Sequence, residues 1–60
     1  MSDNEIYERG VYHGYHGSDS FNDGQTNGMS QAQQEVFRQG YREGGRRMQE
    51  GWKSPHSPNG

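Results

Sequence analysis

Four cations in the second half of the chain, Arg38, Arg42, Arg46 and Lys53, fall within about 80° of one another on a helical wheel. A second stripe, Phe37, Tyr41, Met48 and Trp52, spans about 60° beside them. Cations repeated at turn spacing next to rings suit nucleic-acid binding, where the charges meet phosphates and the rings stack on bases. Arg47 and Arg9 add to the same cationic set, so the candidate nucleic-acid contacts are Arg9, Arg38, Arg42, Arg46, Arg47 and Lys53. Phe37, Tyr41 and Trp52 are the candidate contacts to a protein partner. The plainer reading of the same residues is a solvated helix face, with Glu35 and Glu43 pairing to arginines at helical spacing. Such pairs contribute only a few tenths of a kcal/mol each.

Other chemistry is sparse. His13, His16 and Asp19 repeat every three residues and could offer two imidazoles and a carboxylate to zinc. The repeat breaks at Gly17, no second ligand cluster follows, and His56 sits alone near the end of the sequence. No metal site is therefore expected, and the histidines read as polar surface or partner contacts. The chain has no cysteine, which removes disulfides, thiolate metal sites and a thiol nucleophile. No G-x-S-x-G and no Gly-Lys-Ser/Thr phosphate loop occurs. A chain of 60 residues also lacks the walls for a water-excluding pocket. The expectation is a protein without catalytic residues or a cofactor, and not an enzyme.

The elements that must hold these residues are few. Only 23% of the residues are hydrophobic and mean hydropathy is −1.53, near the composition of disordered chains. A single small domain, marginal by itself and completed by a partner, is the most such a chain can build. Net charge is −2, so scarce apolar surface, not self-repulsion, limits folding. The charge is unevenly placed. Residues 1–30 carry one arginine against five carboxylates, and residues 31–60 carry five cations against three. No apolar run reaches the length of a signal core or a membrane span. A soluble, cytoplasmic protein follows as the expectation, and the missing cysteines agree with a reducing compartment.

Two helices are predicted. Ser2 and Glu5 form an S-x-x-E capping box, with acids in the first turn, and a first helix should run from about Asp3 to His16. Gly17 suits its C-terminal end. Ser30 and Gln33 form a second box, and a second helix should run from about Gln31 to Gln49 or Glu50, with Trp52 as its furthest limit. Gly44-Gly45 is a candidate kink. Between the helices, residues 17–29 are rich in Asn, Asp and Gly and read as a turn-rich linker. Asn27-Gly28 lacks flanking strands, so a β-hairpin is rejected. Phe21 is the linker's one large apolar residue and should fold back on the helices. The architecture is thus an all-α two-helix hairpin over residues 1–53, followed by a disordered tail over 54–60 with two Ser-Pro steps.

The glycines are the odd feature. Gly10, Gly14 and Gly17 repeat along one helix face, and Gly40, Gly44 and Gly51 lie beside the aromatic stripe. Each glycine costs a helix about 1 kcal/mol relative to alanine. A helix face without Cβ atoms admits a backbone or a large ring, and the expectation is that each row receives aromatic rings from the other helix.

These rows carry a resemblance. "ERGVYHGYHG" followed after a linker by "EVFRQGYREGGRRM" resembles the ribosome modulation factor family, through Arg9-Gly10, Gly14 and Gly17 and through Phe37, Gly40, Tyr41, Arg42 and Glu43. The resemblance covers roughly Glu8 to Met48. It implies a two-helix protein that binds the small ribosomal subunit near the messenger exit region and silences translation by promoting ribosome pairing. The chain departs from the family in its acidic net charge, in a longer linker, and in lacking the linker's Cys-Pro-aromatic element, for which Phe21 is the nearest stand-in. The partner so implied is the ribosome or its rRNA. The alternative is an accessory or inhibitor factor of phage or plasmid type. It would dock on one host protein through the aromatic stripe and the acidic first helix. A homodimer is left open, and no membrane partner is expected.

Overall fold

A computed structural model of the chain describes residues 2–17 and 28–55. It is all-α: helix α1, Asp3–His16, packs against helix α2, Gln31–Glu50, and no strand occurs among the described residues. The readings made for Phe21, for Asn27, for Asp19 and for residues 56–60 lie outside the described residues.

Local sequence explains where both helices start and stop. The Ser2 hydroxyl accepts the Glu5 N–H at 3.3 Å and caps α1. At Ser30 the full box closes: its hydroxyl accepts the Gln33 N–H at 3.2 Å, while the Gln33 amide oxygen accepts the Ser30 N–H at 2.9 Å. Gly17 (φ 69°) and Gly51 (φ 82°) end the helices in the left-handed conformation that a Cβ disfavours. At α2 the Trp52 N–H reaches back to the Arg47 carbonyl and the Gly51 N–H to that of Met48, the paired closure of a Schellman motif. Gly51 therefore stops α2 rather than extending its face. Gly44-Gly45 does not break the helix, which is continuous from Gln31 to Glu50.

The core consists of very few side chains. Ile6, Val11 and Phe37 are its buried hydrophobics, at 0, 4 and 1% exposure. The rest of the seam is glycine. Gly10, Gly14, Gly40 and Gly44 are all buried. A Cβ placed on any of them would lie far inside contact distance of a carbonyl oxygen of the facing helix: Phe37 for Gly10, Tyr41 for Gly14, Tyr7 for Gly40 and Val11 for Gly44. The expectation that the glycine rows receive aromatic rings is thus corrected. What fits against each glycine is the other helix's backbone, because the G-x-x-x-G rows of α1 and α2 face each other. The Cα–H bonds of these glycines point at carbonyls, a weak but repeated attraction.

The register of these contacts also fixes direction. Gly40 meets Tyr7 and Val11, and Gly44, one turn later, meets Val11 and Tyr15. Contacts advance together along both helices, so the two arms of this helical hairpin run in the same sense where they touch. An antiparallel pair needs only a short turn. A same-sense pair must return across the length of α1, about 21 Å for its 14 residues, which accounts for a connection as long as 17–30.

Candidate nucleic-acid interface on the second helix

The row of cations foreseen on α2 is divided by its carboxylates. Arg38 and Arg42 lie one turn apart and are both exposed. Arg38 has Glu35 at 3.7 Å with both side chains about 60% exposed, a loose surface pair, and Arg42 makes no ion pair among the described residues. Arg46 stands one turn further on, bracketed at 2.6 Å by Glu43 on one side and at 2.6 Å by Glu50 on the other. Arg47 donates from Nε to Glu43 at 2.8 Å, and its guanidinium lies 4.7 Å from the Trp52 ring centre, a cation–π contact. Glu43 thereby accepts from two arginines. The hydrogen bonds from Arg46, then those from Arg47, hold its carboxyl down from 4.5 to about 2. Hydrogen bonds to Glu43, then to Glu50, raise the pKa of Arg46.

The structure therefore separates the six candidate cations. Arg38 and Arg42 are exposed on α2, Arg38 beside Glu35. Arg46 is matched by two carboxylates and Arg47 is turned toward Trp52. Lys53 is exposed but lies beyond Gly51, off the helix on which it was placed. Arg9 is half-buried on α1. The pairing was readable in part: Glu43 precedes Arg46 by three and Arg47 by four, the separations at which helix side chains meet. Glu50, four after Arg46, carries the same signal and was overlooked.

The aromatic set divides as well. Phe37 is 1% exposed, so it is corrected from a partner contact to a core residue. Its ring lies 6.1 Å from that of His13 and 6.5 Å from that of Tyr41, centre to centre. Tyr41 is half-buried. Trp52 is 49% exposed, as is Met48. Trp52 is fixed from three sides: its indole N–H donates to Glu50 at 2.9 Å, its ring carries Arg47, and its carbonyl accepts the Tyr15 hydroxyl at 2.6 Å. Ser54 follows, 3.1 Å from His16 Nε2, and Pro55 is half-buried. Residues 51–55 thus form a strap laid back on α1. Ser54 and Pro55, expected in a loose tail, belong to it because Tyr15 and His16 give it polar anchors.

Among the described residues no group of three His, Cys, Asp or Glu side chains is placed to hold a metal ion, and no helix is long and apolar enough to cross a membrane. Comparison with protein-family models, with curated proteins and with solved structures found no match.

Proposed function

We propose that the chain is a ribosome modulation factor-like protein that binds rRNA, or a ribosomal surface rich in it, through α2 and so modulates translation. The observation that carries this reading is the separation of charge between the two helices. Arg38 and Arg42 are exposed on α2, with Arg42 about 140–200° around the helix from the seam residues Phe37 and Gly40. On α1 the exposed Glu5 lies about 140–180° from Gly10 and Gly14. The acidic side of α1 is thereby turned from the cationic side of α2. A phosphate backbone can approach Arg38 and Arg42 without meeting the carboxylates of α1, and the acid beside Arg38 on α2 is Glu35, loosely paired with it. The two-helix fold with glycine rows is also what the family resemblance implies.

With Arg46 matched by carboxylates, the phosphate contacts reduce to Arg38, Arg42 and Lys53. Three contacts give a log–log salt slope of about −2 on single-stranded RNA, and each removed cation flattens it by about 0.7. Arg38→Ala and Arg42→Ala should each do so with helicity unchanged, whereas Arg46→Ala should barely alter the slope. Titration with RNA at several salt concentrations, and sedimentation with ribosomal subunits at low salt, test this. Absence of both co-sedimentation and salt-dependent RNA affinity would remove the reading.

A second reading, a docking factor for one host protein, is favoured by the half-exposed Met48 and Trp52. Large apolar side chains left beside a charged rim are a common feature of protein contacts. That reading predicts one stoichiometric protein partner in a pull-down treated with ribonuclease.

A further inference from the structure

A groove of about 470 Å³ runs along α1 on a side the RNA reading leaves unused, lined by Asn4, Tyr7, Glu8, Val11, Arg47 and Pro55. Val11, Tyr7 and Pro55 supply its apolar lining. Its polar groups are unequally engaged. Arg47 is already bonded to Glu43, so the cation at that end is compensated. Glu8 is exposed and makes no ion pair or hydrogen bond among the described residues, and the Asn4 amide and Tyr7 hydroxyl are likewise unused.

We propose that this groove is a docking site for a basic segment of a protein partner, which inserts one arginine or lysine side chain along α1. The aliphatic stem of that side chain would lie on Val11 and Pro55, its cationic head would meet the Glu8 carboxylate, and the Tyr7 ring offers a face for the same charge. Charge complementarity selects this occupant. The one uncompensated charge at the groove is negative, and α1 carries three carboxylates against a single arginine. An anionic occupant would face Glu8 and could gain Arg47 only by displacing Glu43. The site stands independently of the RNA reading, since it uses neither Arg38 nor Arg42.

The test is titration of the full chain with a blocked five-residue peptide bearing a central arginine, and with twins carrying glutamine or glutamate there, followed by nuclear magnetic resonance. The arginine peptide should shift the Tyr7, Glu8 and Val11 signals saturably and bind less tightly as salt rises. Glu8→Gln should weaken it about fivefold, the range of a charge-assisted contact at a partly exposed rim. Glu8 is exposed and makes no ion pair or hydrogen bond among the described residues, so this variant should keep its helical circular dichroism. Tyr7→Phe should weaken binding less. The Arg38→Ala, Arg42→Ala double variant should bind the peptide like the unaltered chain while losing RNA affinity, which separates failure of this site from failure of the RNA reading. Equal binding of the glutamine twin, tighter binding of the glutamate twin, or indifference to Glu8→Gln would each overturn the proposal.

Discussion

The seam between the helices and the outward side of α2 are built on opposite terms. In the seam, four glycines lie against four carbonyl oxygens, and the fit is made by backbone alone. Nothing there can rotate away from an added atom. On the outward side, Arg38, Arg42 and Arg46 are long, exposed side chains, and each can take a new rotamer at little cost. The difference teaches where this sequence is constrained. With only Ile6, Val11 and Phe37 as buried hydrophobics, the helices gain attraction by close approach rather than by side-chain bulk. One methyl group in the seam should therefore matter more than a whole charge outside it.

Adjacent glycines give the sharpest way to break that comparison, and the largest expected effect. Gly44→Ala places a Cβ against the Val11 carbonyl and 2.6 Å from the Tyr15 amide nitrogen. It should destabilise the fold by about 2 kcal/mol, overpacking outweighing the better helix propensity. Gly45→Ala, one residue on, meets only the Gly14 carbonyl at 4.0 Å and should stabilise by up to about 1 kcal/mol. Urea denaturation of the two variants should move the midpoint in opposite directions. If both move it upward, the glycines act only through helix propensity.

A smaller effect is expected at the strap, which borrows from both regions. Tyr15→Phe removes the hydroxyl that donates to the Trp52 carbonyl at 2.6 Å and should cost about 0.5–1 kcal/mol. Trp52 fluorescence should report a looser indole, while the glycine seam keeps its helices. An unchanged emission spectrum and midpoint would mean the strap is held without Tyr15, by Arg47 and Glu50 on Trp52 and by His16 on Ser54.

The smallest effect lies in the outward charges. Glu43 has a carboxyl lowered from 4.5 to about 2 by its two arginines. A carboxylate depressed in the folded state contributes stability in full above its unfolded pKa and loses it as pH falls through the folded value. The contribution of Glu43 should therefore persist at neutral pH and fade between about 4.5 and 2. Acid titration followed by circular dichroism should show the loss in that window, and Glu43→Gln should flatten it. Because Arg46, the larger contributor, is about half exposed to screening solvent, the change should be far smaller than that of Gly44→Ala.

Much of this was written in local sequence. Ser2 with Glu5 and Ser30 with Gln33 placed both helix starts, since a cap depends on residues three apart. Gly17 was likewise legible as a stop. Gly51 was misread as part of a face, because a glycine after a long periodic run satisfies both roles until its φ is known. Arg38 and Arg42 were correctly placed on the surface of α2. Phe37 was not, since a stripe of four large side chains does not say which member the other helix covers.

By itself the sequence determined two capped helices, their lengths and the rows of glycine along each. Those features follow from interactions within four residues, which propensity and spacing encode directly. Only the tertiary structure decided that the rows meet each other backbone to backbone, that the helices advance in the same sense, and that residues 51–55 return onto α1. Each of these depends on pairs far apart in the chain, such as Gly14 with Tyr41 or Tyr15 with Trp52. No local pattern carries the distance between them. The groove beside Glu8 is likewise a product of tertiary structure, because its walls are brought together from α1, α2 and the strap.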